Sequence, residues 1–188
     1  MSEPTSELWI VRHGETEWSR DGQHTSTTEK DLTAEGEEVA RGLVSRLYAE
    51  PFDVVLTSPR RRAVRTAEIA GFPDAQVDDD LSEWDYGDYE GRTTPEIREE
   101  VPAWTVWSHP CPGGETAEQV GERLDRVVDR VRAAGRVLVF SHGHASRVLA
   151  SRWLGLPPED GRHFVLDTAT VSVLGWERES PAVVRWNS

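Results

Sequence analysis

Three short apolar runs, each followed by a turn carrying cationic or imidazole side chains, constrain this chain more than any other feature. They are LWIVR at 8–12, DVVLT at 53–57 and RVLVF at 136–140, and each reads as a short strand. Helical patterns lie between them. Thr33 is suited to N-cap a helix over 33–49, where Val39, Leu43, Val44 and Leu47 recur at helical spacing. Ser58 followed by Pro59 is a helix-start signature, with serine as N-cap and proline at the first helical position, for a helix reaching about Ala70. Residues 116–133 place Val120, Leu124, Val127, Val128 and Val131 on one face. Another helix should follow the strand at 136–140 and stop near Leu154, before Gly155 and Pro157. Residues 81–95 and 108–114 read as loops around a short helix, and 169–176 and 182–186 as two further strands. Strands alternating with helices predict an α/β fold with a mostly parallel sheet. No repeat, low-complexity segment or linker interrupts the 188 residues, so one domain over 1–188 is expected.

Composition narrows the function. Hydrophobic residues at 37 % and charged residues at 29 % are a globular balance. No apolar run approaches the roughly 20 residues of a membrane span. The leading MSEPTSE has neither a basic residue nor an apolar core, unlike a secretory signal. The single cysteine, Cys111, excludes an intramolecular disulfide and a multi-thiolate metal site, and a reducing cytoplasm is the simplest compartment. A net charge of −13 argues against binding nucleic acid or an anionic membrane through bulk charge. Screening acts over roughly 8 Å at physiological salt, so a local arginine cluster can still attract a small anion.

In open α/β sheets ligands bind beyond the carboxyl ends of the strands. Here those ends carry Arg12-His13-Gly14, then Ser58 with Arg60, Arg61 and Arg62, then Ser141-His142-Gly143. Helix N-termini after such turns add backbone N–H groups and partial positive charge. A lone histidine at a strand end is usually structural, an arginine cluster is usually a solvated helix face, and a lone Glu83 is an ordinary surface carboxylate. Their recurrence at separate strand ends is what points to an anion site.

RHGETEWS at 12–19 resembles the signature of the histidine phosphatase superfamily, in its phosphoglycerate-mutase-like branch. LTAEG at 32–36, SPRRRAVRTA at 58–67, LSEWDYGDYEG at 81–91, PGGET at 112–116 and SHGH at 141–144 extend the resemblance in order over residues 8 to about 150. The resemblance implies a three-layer αβα fold. It implies that His13 is the nucleophile, attacking phosphorus through one ring nitrogen while a backbone carbonyl fixes the other. Arg12 and Arg62 would grip the phosphoryl oxygens in fork geometry, Arg62 being chosen because it stands four residues after Ser58, one turn into its helix. His142, assisted by the Gly143 amide, would stabilise the in-line transition state, and Glu83 would protonate the leaving alkoxide and then activate water. Trp84 and Tyr86 are placed to desolvate Glu83, and Asp85 or Glu90 to add like charge. Ser19 stands where many relatives carry asparagine, with a shorter reach to a phosphate oxygen. Together with GQHT at 22–25 it resembles the sugar-phosphatase and broad acid-phosphatase members. Thr25 reads equally as a phosphate contact or a plain loop residue.

No metal or other cofactor is implied, and the histidines show no HExxH-type ligand spacing. His24, His109 and His163 read as surface residues, with His24 alternatively at the pocket mouth. Residues 95–114 read as a cap, whose Trp104 and Trp107 either stack on substrate or form the cap's own core. A second phosphate is not clearly provided for, although Arg65 could serve. Mutases of the family resemble longer chains that close over the site, so 188 residues favour water as acceptor and hence a phosphatase acting on a small phosphorylated metabolite. A phosphoglycerate mutase and a non-catalytic phospho-ligand-binding module are the alternatives. A homodimer is common among related proteins, and nothing in the sequence decides it.

Overall fold

The computed structural model describes residues 5–188, so the first four residues of MSEPTSE lie outside the described residues. Six strands form one sheet: β1 (Glu7–Arg12), β2 (Val54–Thr57), β3 (Gln76–Val77), β4 (Arg136–Ser141), β5 (Val171–Glu177) and β6 (Ser180–Arg185). Their order is β3-β2-β4-β1-β5-β6. β1, β2, β3 and β4 run parallel, while β5 lies antiparallel to β1 and β6 antiparallel to β5. The sheet is therefore mostly parallel, as expected, with the last two strands forming an antiparallel edge. Among the described residues six α-helices accompany it, besides three 3-10 helices: α1 (Glu17–Arg20), α2 (Ala34–Leu47), α3 (Arg61–Ile69), α4 (Thr94–Glu100), α5 (Ala117–Ala134) and α6 (Gly143–Trp153). Among the described residues no helix is long and apolar enough to cross a membrane.

The apolar runs are continuous because the central strands are buried on both faces. Leu8 and Ile10 of β1, with Val137 and Val139 of β4, pack against α5 and α6. Trp9 and Val11, with Leu138 and Phe140, pack against α2 and α3. Side chains alternate across each strand, so two adjacent strands supply both cores of a three-layer αβα domain. All five apolar positions anticipated on α5 are buried. On α2 the Thr33 hydroxyl accepts from the Gly36 amide as expected, but Ala40, Leu43 and Leu47 make the buried stripe. Val39 and Val44 face solvent at 46 % and 37 % exposure.

Two local expectations are corrected. Ser58 does not cap α3, which begins three residues later with Arg60 at the N-cap, and Arg62 is its second residue rather than one turn in. The Ser58 hydroxyl is drawn instead to His142, and the carboxylate of Glu29 accepts from the Arg61 amide at the helix start. The short helix α1 was not anticipated from sequence. It is set by a capping box in which Thr16 and Ser19 exchange side chain-to-backbone hydrogen bonds. The loop after β1 lies hard against α2. A Cβ on Gly36 would meet the Glu15 carbonyl at 2.3 Å, so only glycine permits this approach.

Candidate active site

Parallel register places Arg12 opposite Ser141, so Arg12-His13 and Ser141-His142 leave the sheet at one edge. The His13 amide donates to the Ser141 carbonyl at 2.9 Å, and the Ser58 amide to the Phe140 carbonyl at 2.9 Å. Three chain segments are thereby tied together at the carboxyl ends of β1, β2 and β4. The rings of His13 and His142 stand edge to face, 5.2 Å between centroids.

A cavity of about 160 Å³ opens at this edge. Of the residues singled out from sequence, Arg12, His13, Ser19, Thr25, Glu83 and Gly143 line it. Arg62 and His142 do not line it, and both are fully buried. Arg12 Nε, Arg62 Nε and His142 Nδ1 are buried without a protein partner. Arg60 Nε and Ser146 Oγ are buried in the same way, and since buried polar atoms are rarely left so, such atoms are where a polar ligand could be met.

The His13 Nδ1 atom lies 2.7 Å from the Gly14 carbonyl. A carbonyl only accepts, so Nδ1 carries the proton and Nε2 keeps its lone pair. Burial, then the charges of Arg62 and Arg12, push the His13 pKa well below 6.5. His142 is pushed down in the same way, by burial and then by Arg62. Both imidazoles are therefore neutral at pH 7. His142 Nε2 lies 2.7 Å from Ser58 Oγ, and Ser58 Oγ accepts from the Arg60 amide at 3.3 Å, which leaves the hydroxyl proton free for Nε2.

The arginines differ from the free forks expected of them. Arg62 donates through Nη1 to the Thr28 carbonyl and through Nη2 to the carbonyls of Thr25 and Ser26. The loop it grips is held by Glu90, whose carboxylate accepts from the Ser26 and Thr28 amides and the Ser26 hydroxyl. Arg12 gives Nη1 to the Leu166 carbonyl. In both residues Nε is the buried atom without a partner.

Glu83 is buried at 8 % exposure, not an exposed surface carboxylate. Its Oε1 accepts from the Trp84 and Ala145 amides at 2.9 and 2.7 Å, and its Oε2 from His144 at 3.1 Å. The carboxylate thus caps the first turn of α6, beside Gly143. Asp85 and Glu90 are engaged elsewhere, with the Gly87 amide and with Ser26 and Thr28, and were expected instead to crowd Glu83 with like charge. Ser19 lines the cavity, but its hydroxyl is committed to Thr16, donating to the carbonyl at 3.0 Å and accepting from the amide at 2.9 Å. Thr25 gives its hydroxyl to the Gln23 carbonyl.

The cavity also has a wall of His24, Tyr86, His144 and Arg147; His24 takes the alternative place at the pocket mouth, whereas sequence reasoning missed His144 and Arg147 as lining residues. Burial lowers the His24 pKa to about 4, so it is no surface histidine. Burial holds the Tyr86 phenol well above 10 and the His144 imidazole well below 6.5. With the atoms 2.6 Å apart, the phenol therefore donates to His144 Nδ1. Arg147 lies over the Trp107 ring at 4.7 Å and donates to the Gly161 carbonyl. Its spacing of four from Gly143 along α6 is the signal that could have found it. None of residues 95–114 is among the residues lining the cavity. Trp104 is buried against His24 and Tyr89, and Trp107 packs on Trp84 and His144, so these tryptophans back the wall from behind. Arg65 is exposed and paired with Glu37 and Glu68, away from the cavity.

Residues 8–188 match the histidine phosphatase superfamily (branch 1). An acid phosphatase of Mycobacterium tuberculosis is 44 % identical over 176 residues, covering 90 % of this chain and 86 % of that one. A sedoheptulose 1,7-bisphosphatase of Saccharomyces cerevisiae is 39 % identical, covering 83 % of this chain and 70 % of its own. A solved structure of an open-reading-frame product of Mycobacterium tuberculosis superposes with a TM-score of 0.92 at 42 % identity, covering 97 % of both chains. The arrangement at the ends of β1, β2 and β4 and these likenesses over nearly the whole chain agree: this protein belongs to the histidine phosphatase superfamily.

Proposed function

We propose that this protein is a metal-independent phosphatase that hydrolyses small phosphomonoesters through a phosphohistidine on His13. The observation that carries the reading is His13 itself: neutral, with its Nδ1 proton on the Gly14 carbonyl and its ring on the cavity wall, beside three buried polar atoms without partners. In the first step the Nε2 lone pair attacks phosphorus, the P–O ester bond breaks, and Glu83 gives its proton to the departing alkoxide. In the second step water attacks the phosphohistidine, its proton passes to Glu83, and inorganic phosphate leaves with His13 restored. Arg12 and Arg62 offer Nε–H groups, and His142 offers Nδ1–H, to the equatorial oxygens of the transferring group.

Among the described residues no three His, Cys, Asp or Glu side chains cluster as a metal site would need. A cavity of about 160 Å³ with Arg147 as its one further arginine suits a phosphate with a short polyol or sugar portion. The acid phosphatase and sugar bisphosphatase likenesses support hydrolysis of such esters over mutase activity. The buried Cys111 thiol fits a reducing cytoplasm.

The test is hydrolysis of a phosphomonoester panel by wild type and His13→Ala, with 3-phosphoglycerate interconversion followed in parallel. Phosphate release by wild type alone supports the reading. Faster interconversion than release would make the enzyme a mutase, and neither activity would favour a binding module.

A further inference from the structure

We propose that Arg123 and Glu115 are positioning residues for the proton transfer assigned to Glu83, an inference that rests on the reading just given. Arg123 lies on α5, away from the cavity, with its side chain 11 % exposed. Every nitrogen of its guanidinium is engaged. Nη1 donates to the carbonyls of Asp80 and Ser82 at 2.7 and 2.8 Å, and Nη2 to the Glu83 carbonyl at 3.1 Å. Nε and Nη2 also meet the two carboxylate oxygens of Glu115 at 2.8 and 2.9 Å, a bidentate pair.

Glu115 holds the same loop from its other side. Its Oε2 accepts from the Asp85 amide at 2.9 Å and its carbonyl from the Trp84 indole at 2.9 Å. Its own amide donates to the Asp85 carbonyl at 2.9 Å. The backbone on either side of Glu83 is thus pinned to α5 and residue 115, while the Glu83 carboxylate reaches across to the first turn of α6. The carboxyl group is suspended between two helices, and the guanidinium plane sets its depth. Lysine keeps the charge at 123 but cannot serve three carbonyls and a bidentate carboxylate at once. A displacement of about 1 Å at a proton-transfer group costs on the order of 10²-fold.

The consequence depends on the leaving group. A departing alkoxide is strongly basic and needs the proton of Glu83, whereas nitrophenolate departs well without it. The measurement is kcat/KM, which reports the step up to phosphohistidine formation, for glycerol 3-phosphate and p-nitrophenyl phosphate. Wild type, Arg123→Lys, Glu115→Gln and Glu83→Gln are compared, with thermal midpoints taken alongside.

Arg123→Lys and Glu115→Gln should each lose about 10- to 100-fold on glycerol 3-phosphate and less than about threefold on p-nitrophenyl phosphate. Glu83→Gln should show the same selectivity more strongly. Equal losses on both substrates, or none, in both Arg123→Lys and Glu115→Gln would overturn the proposal while Glu83→Gln keeps its selectivity. Absence of selectivity in Glu83→Gln would overturn the assignment of Glu83 and the positioning role with it. If one of the two variants fails to fold, the other decides.

Discussion

Replacing Ser58 by alanine should damage turnover far more than the loss of one buried hydroxyl suggests. Ser58 Oγ accepts from the Arg60 amide, so its own proton is free to point at His142 Nε2, 2.7 Å away. Burial keeps His142 neutral, and a neutral imidazole has one donor and one acceptor. Donation by Ser58 makes Nε2 the acceptor and leaves the proton on Nδ1, the buried atom without a protein partner. In Ser58→Ala that choice is lost. Either Nε2 stays buried and unpaired, at about 1–3 kcal/mol, or the proton moves to Nε2 and Nδ1 turns a lone pair toward a phosphoryl oxygen. Loss of one transition-state donor lowers kcat by about 10²-fold, equivalent to ~2.7 kcal/mol of barrier. The stability term lowers Tm by about 2–12 °C for a domain of this size. Steady-state hydrolysis of p-nitrophenyl phosphate and a thermal melt measure the two effects separately. A kcat within about threefold of wild type, with Tm lowered, would show that the hydroxyl only fills space and that the tautomer argument is wrong.

Stability should fall on the acid side through His24, whose pKa is about 4 in the folded chain. The unfolded chain takes up that proton first, so the stability His24 contributes is present above its ordinary value of about 6.5 and is lost as pH falls toward 4. His24→Phe should flatten the dependence of Tm on pH across that window, and an unchanged slope would contradict it. Gly36→Ala should lower stability by at least about 1–3 kcal/mol, because the new methyl would meet backbone at 2.3 Å, and a urea midpoint equal to wild type would count against the close approach. EDTA should leave phosphatase activity unchanged, with a large loss pointing to a metal. Vanadate should inhibit at low concentration by imitating the pentacoordinate phosphoryl group, and insensitivity would count against attack by His13.

Much of the site could be read from the chain because its parts are local. Arg12-His13 and Ser141-His142 each follow an apolar strand, and a parallel sheet puts such ends on one edge. What could not be read was how each side chain is shared. Arg62 was expected to offer a fork, yet its terminal nitrogens hold the loop at 25–28. Ser58 was expected to cap a helix, yet its hydroxyl serves a histidine 84 positions away. Trp104 and Trp107 left two readings open, and burial against His24, Tyr89 and Trp84 places them in the packing behind the wall.

By itself, the sequence determined the alternation of strands and helices, the stripe of α5, the cap at Thr33 and the cationic strand ends. Each of these follows from periodicity or capping within a few residues. Only the tertiary structure decided that His24, Tyr86, His144 and Arg147 share one wall, and that Arg123 and Glu115 clamp the loop bearing Glu83. Those arrangements rest on hydrogen bonds and desolvation between segments far apart in the chain. No local pattern carries such information, because a polar side chain's partner is chosen by what folding brings beside it.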